Sequence, residues 1–140
     1  MTRSLATYIS LDGTTGEALE HWHEVFGGTL NILRYGDMPP MEDMPFEPDP
    51  QAVAHATLEL PVGTIAGGDS MDPDNDYPVT GTAYSLLYTT ETPDEARGFI
   101  EKLVAGGGSL GMPFELAPWG GWYGQVFDRF GVMWAFSCDA

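Results

Sequence analysis

Apolar and polar positions follow one another along this chain in an order that occurs twice. Residues 5–11, Leu-Ala-Thr-Tyr-Ile-Ser-Leu, are rich in strand-forming side chains and end at Asp12-Gly13, which predicts a strand closed by a turn. Ala18, Leu19, Trp22, Val25 and Phe26 then recur at the spacing of one helical face. Thr14 is placed to cap that helix, with Glu17 completing a capping box. Gly27-Gly28 stops it, since glycine enters the left-handed region without steric cost. Residues 29–36, 52–60 and 63–67 read as three further strands, the last two joined at Pro61-Val62-Gly63.

The second half repeats this order. Residues 82–90 predict a strand, and Thr92 caps a helix with Pro93 at its first position and Glu95 in the box. Ala96, Phe99, Ile100 and Leu103 form its apolar face, and Gly107-Gly108 follows its end. Residues 109–112, 123–128 and 132–137 are the remaining strands, the last two turning around Arg129-Phe130-Gly131. The pattern is βαβββ twice, with module one at about 4–69, a linker at about 70–81 and module two at about 82–140. Such repetition implies duplication, and the natural ligand site of two copies is the surface where they meet.

Two stretches interrupt the pattern. Residues 37–51 carry Pro39, Pro40, Pro45, Pro48 and Pro50, a length of loop often used for binding, with Met38, Met41, Met44 and Phe46 as apolar anchors. In the linker, Asp72-Pro73-Asp74-Asn75-Asp76 begins like a calcium loop, but Tyr77 replaces the turn glycine and Ala83 the bidentate Glu, so it reads as solvated chain.

At 140 residues and 43% hydrophobic the chain can bury one core, whereas halves of about 70 residues would be marginal alone and are expected to share it. The sequence has no run of about 18 apolar residues to span a membrane. One cysteine, Cys138, permits no internal disulfide, which fits a cytoplasmic location. Twenty-one acidic residues against five basic give a net charge of −16, a field that repels nucleic acid and favours cations, and that also serves solubility.

Within this duplicated frame, the helix stretch from Glu17-Ala18-Leu19 through Val25-Phe26-Gly27-Gly28 resembles the "EALxFYxxVFGG" signature of PhnB-like proteins. Arg34-Tyr35-Gly36-Asp37-Met38-Pro39 and Val53-Ala54-His55-Ala56-Thr57-Leu58 are similar to that group's second and third strands. Trp119-Gly120-Gly121-Trp122-Tyr123-Gly124, continuing to Asp128-Arg129-Phe130-Gly131-Val132-Met133-Trp134, resembles its C-terminal signature. These proteins belong to the vicinal oxygen chelate superfamily, with glyoxalase I and bleomycin-resistance proteins. The resemblance implies an α+β fold in which two tandem βαβββ modules form a curved, partly open mixed-sheet barrel, usually in a homodimer. Superfamily members include isomerases, dioxygenases, thiol transferases and drug-binding proteins, so the fold alone does not decide the chemistry.

Many superfamily members hold a divalent cation through residues on the first and last strands of each module. The positions matching those ligands best are Thr7, Gly67, Ala83 and Ala135, none of them a usual ligand type, so no metal and no cofactor are expected. His21 and His23 lie two apart on a helix and do not share a face; both are expected at the surface, and Gly27 excludes an H-E-x-x-H site.

His55 shares a strand face with Val53, Thr57 and Glu59, leaving Ala54, Ala56, Leu58 and Leu60 to pack on the helix. It is the candidate catalytic base, and the alternative is a histidine hydrogen-bonded to a neighbouring strand or a partner subunit. Tyr8, Trp119, Trp122, Tyr123 and Trp134 are candidate ligand-stacking rings, with core or dimer contacts the competing role. Asp128, before a tight turn, is expected to bond backbone. Gly106-Gly107-Gly108 follows a helix and so does not fit a nucleotide loop, and Cys138 has no basic neighbour to activate it. The expected function is metal-independent binding of a small molecule, cationic or aromatic, with an enzyme using His55 for proton transfer as the alternative.

Overall fold

The computed structural model describes residues 3–39, 48–70 and 78–140. The proline-rich anchors Met41, Met44 and Phe46, and the acidic run 72–76, lie outside the described residues. The chain divides into two compact units, Met1–Tyr77 and Pro78–Ala140.

The first unit runs β1 (Thr7–Ile9), α1 (Thr15–Phe26), β2 (Thr29–Arg34), β3 (Val53–Leu60) and β4 (Gly63–Gly67), with a 3-10 turn at Tyr35–Asp37. Its strands lie in the order β1-β4-β3-β2, β1 parallel to β4 and the other pairs antiparallel. The second unit repeats this with β5 (Leu86–Thr89), α2 (Pro93–Ala105), β6 (Ser109–Leu116), β7 (Trp122–Phe127) and β8 (Met133–Cys138), ordered β5-β8-β7-β6. Each unit is thus a βαβββ module with an open, mixed sheet, and the fold is α+β. Strand β5 starts four residues later than the apolar pattern suggested, which leaves Ala83 outside it, and β6 runs on to Leu116.

Each helix covers one face of its own sheet. Ala18, Leu19, Trp22, Val25 and Phe26 are all buried, with Val53, Ala56, Leu58 and Ile65 of the sheet among the same core residues. In the second unit Ala96, Ile100 and Leu103 are buried, and the rings of Tyr88, Phe99, Phe136 and Trp134 form a chain of contacts. The glycine pairs that end both helices have a common cause. A Cβ on Gly28 would strike the carbonyl oxygen of Glu59, and one on Gly108 that of Phe127. Those carbonyls belong to the residues paired with the first position of β2 and of β6, so the chain must pass the sheet edge at contact distance in both units.

The capping expectations divide. Thr92 accepts from the Glu95 backbone N–H at 3.2 Å, as predicted. The Thr14 side chain makes no capping bond. Its place is taken by Asp69, beyond β4, whose Oδ1 accepts from the Thr15 N–H at 3.0 Å while Oδ2 accepts from the Val53 N–H at 2.8 Å. One carboxylate therefore pins the start of the helix to the start of β3. His21, expected at the surface, is 8% exposed, because it lies three residues after Ala18 and four before Val25, on the inward side of α1. Asp128 is 4% exposed and bonds backbone as expected, accepting from the N–H groups of Phe130 at 2.9 Å and Val132 at 3.0 Å.

Candidate functional site

The face of the first sheet turned away from α1 is set by strand alternation. On β3, His55, Thr57 and Glu59 point to it, whereas Ala56 and Leu58 lie beneath the helix. Val53, expected to share the His55 face, is instead buried against Gly16 of α1, where the ladder with β2 shifts register between Leu33 and Arg34. Pairing adds Asn31 and Leu33 from β2 and Ala66 from β4, and Tyr8 on β1 is level with Ala66. Tyr8, 54% exposed, reaches across β4 from one flanking strand to the other. Its hydroxyl lies 3.4 Å from His55 Nδ1, and the two rings stack with centroids 5.8 Å apart. Burial, with the nearby Tyr35 phenol, pushes the Tyr8 hydroxyl above its ordinary value.

Two glycines on β4 and just beyond it confirm which way each position points. A Cβ on Gly67 would come within 2.9 Å of Thr15 Cγ2, on the helix side. A Cβ on Gly68 would lie 2.7 Å from the Tyr8 hydroxyl, on the opposite side. Gly67 and Thr7, expected at ligand positions, therefore belong to the helix-side set, and Ala66 and Tyr8 occupy the outer face.

Matching the two sheets by register makes Leu87 the counterpart of Tyr8, Ala135 of Ala66 and Gln125 of Thr57. One step further, Tyr123 takes the place of His55. Tyr123 accepts from Gln125 Nε2 at 3.0 Å and meets Trp119 edge-on at 6.0 Å, while Glu115 is its cross-strand partner. Trp119 is 73% exposed, on the turn after β6. Trp122 stacks on Phe114 and carries the Arg97 guanidinium 4.9 Å above its ring, an arrangement within the second unit. Trp134, 2% exposed, donates from its indole to Asp128 Oδ2 at 3.0 Å and packs in the core. Of the predicted site residues, the structure thus brings Tyr8 to His55 and Trp119 to Tyr123.

The donor set does not suit the superfamily's divalent ion. Thr7, Gly67 and Ala135, and the register-matched Ala66, Tyr8 and Leu87, include no imidazole, thiolate or carboxylate. Among the described residues no group of three or more His, Cys, Asp or Glu side chains gathers to hold one. Sequence reasoning missed Gly68 and Asp69. Their signal is the run Gly67-Gly68-Asp69 at the end of a strand, where a small-residue floor and an acid follow one another.

The glyoxalase/bleomycin resistance protein/dioxygenase superfamily model matches residues 6–136. The chain belongs to this superfamily. It is 25% identical to Protein YjdN of Escherichia coli K12 over 95% of this chain and 93% of that one. Among solved structures, protein PA1353 of Pseudomonas aeruginosa is 28% identical, covers 99% of this chain and 98% of its own, and superposes with a TM-score of 0.80. A PhnB protein from Bacillus cereus is 25% identical over 97% of this chain and 99% of its own, with a TM-score of 0.71. The predicted PhnB-like resemblance is thus matched in sequence and in fold. Among the described residues no helix is long and apolar enough to cross a membrane.

Proposed function

We propose that this superfamily member is a small-molecule-binding protein that works without a bound metal, its ligand a cationic or aromatic compound seated on the outer face of the first sheet. The Tyr8–His55 pair carries this reading: a stacked aromatic and imidazole on an accessible strand face, with the register-matched metal positions lacking donors. Tyr8 offers a flat π surface, Leu33 apolar contact and Glu59 a negative charge, a combination that suits a cationic ring. The Trp119–Tyr123 corner, with Glu115 beside it, offers the same chemistry in the second unit. The net charge of −16 raises the local concentration of cations and disfavours nucleic acid. On this reading the protein is cytoplasmic, with a lone buried Cys138, and its macromolecular partner is a second copy of itself. Exposed Leu110 and Leu116 on the edge strand β6 support self-association, which light scattering of the purified chain tests.

The binding test is a thermal-shift series in EDTA with benzyltrimethylammonium and ethidium as probes. At tenfold excess over Kd a ligand stabilises by about 1.4 kcal/mol, a rise of about 4 °C for a domain of this size. Tyr8→Ala is expected to remove that rise, and its persistence in the variant would place the site elsewhere.

The Tyr8–His55 contact also favours a second reading, an enzyme in which His55 transfers a proton on a small organic substrate. In the tautomer where Nδ1–H donates to the Tyr8 oxygen, Nε2 is left basic toward a substrate proton. Turnover abolished by His55→Ala would select this reading, and unchanged turnover would discard it.

A further inference from the structure

Tyr8 and His55 stand on strands that do not touch each other. β4 lies between β1 and β3, and neighbouring strands are spaced about 4.8 Å apart. For the phenol to meet the imidazole it must lie across β4, and the positions it crosses are among the smallest available. Ala66 is paired with Tyr8, and Gly68 follows two residues on, on the same face. A methyl group at Gly68 would lie 2.7 Å from the Tyr8 hydroxyl oxygen, inside any permitted contact, and 2.9 Å from the Ala54 carbonyl oxygen. The backbone of Gly68 has no positive φ, so conformation does not require glycine there. Space does. In the second unit the register places Ser137 at the matching position, and Leu87 stands in place of Tyr8, so nothing crosses that strand to a partner ring.

We propose that Gly68 is the positioning residue of the binding face: its missing side chain is what lets the Tyr8 hydroxyl reach His55 Nδ1, and any larger residue there uncouples the pair. This rests on the reading of the Tyr8–His55 face as the ligand site. It predicts that Gly68 sets the geometry a ligand meets without touching the ligand.

The test is the imidazole ¹⁵N spectrum of His55 in the full chain without ligand, so that its failure is distinct from a failure to bind any probe. Gly68→Ala is expected to move the His55 Nδ1 and Nε2 resonances onto those of Tyr8→Phe, while the amide spectrum stays that of a folded protein. In the Tyr8→Phe background, adding Gly68→Ala should move them no further. Wild-type His55 resonances in Gly68→Ala would overturn the proposal. So would an equal displacement in both backgrounds, because the methyl group would then be acting through Ala54. If Gly68→Ala does not fold, Gly68→Ala with Tyr8→Ala decides: recovery of the fold identifies the phenol as the obstacle, and continued unfolding refutes it.

Discussion

The two units share a topology and a set of helix signals, yet they are held together differently. The first relies on a polar clip and close backbone approach: Asp69 joins the Thr15 and Val53 N–H groups, and Gly67 lets β4 pass against Thr15 and the Ile9 carbonyl. The second fills the place of Gly67 with Phe136, which joins the chain of rings from Tyr88 to Trp134, and ties its last turn with Asp128. The outer faces differ in the same sense. The first places a phenol across the sheet onto an imidazole, and the second has Leu87 and Tyr123 in the matching places. A duplicated fold tolerates divergence wherever one device for satisfying a buried group can replace another.

The comparison breaks most readily at the two carboxylates. Asp128→Ala strands three donors in a buried turn, the Phe130 and Val132 N–H groups and the Trp134 indole, and should cost about 4 kcal/mol in urea unfolding. Asp69→Ala strands two part-buried donors and should cost less, about 2 kcal/mol. A larger loss at Asp69 would show that the clip of the first unit, not the Asp128 turn of the second, is the stronger device.

The helix caps offer a sharper and smaller contrast. Thr92→Ala removes an observed capping bond and should cost about 1 kcal/mol, whereas Thr14→Ala removes none and should cost less than about 0.5 kcal/mol. Equal losses would mean that Asp69 does not substitute for Thr14.

These contrasts show which features could be read from the sequence. The helical faces, the glycine stops and the aspartate turn at Asp128 were legible because each is decided within a few residues. The Asp69 cap was not, because its partners Thr15 and Val53 are distant in sequence and meet it only once the sheet forms. His21 differs from expectation for another reason: of two residues on opposite sides of a helix, His21 is the one spaced three from Ala18 and four from Val25, both buried. Which strand positions face outward was legible on β3 from His55 to Glu59, where alternation is clear, but not at Val53, which the register shift beside Arg34 turns to the helix. It was not legible on three-residue β1, where only the pairing with β4 distinguishes Thr7 from Tyr8. Among the aromatic candidates, only tertiary packing separates buried Trp134 from exposed Trp119.

A titration gives the smallest expected effect. Burial raises the phenols of both Tyr8 and Tyr88, helped by Tyr35 in one case and Glu95 in the other. A phenol raised in the folded state contributes stability that is fully present below the unfolded value near 10 and is lost as pH rises through the folded value. Unfolding followed above pH 10 should therefore show a decline that Tyr88→Phe reduces more than Tyr8→Phe, since Tyr88 is the more deeply packed ring. The reverse order would mean that the Tyr8–His55 face is the drier environment.

The most direct measurement is a thermal-shift titration of ethidium in the presence of EDTA, run on the wild-type chain, Tyr8→Ala and His55→Ala. Metal-independent binding at the first unit's outer face predicts a saturable rise of a few degrees in the wild type, lost in both variants. Stabilisation instead by Ni²⁺, Zn²⁺ or Mn²⁺, reversed by chelator, or an ethidium effect indifferent to Tyr8 and His55, would contradict it.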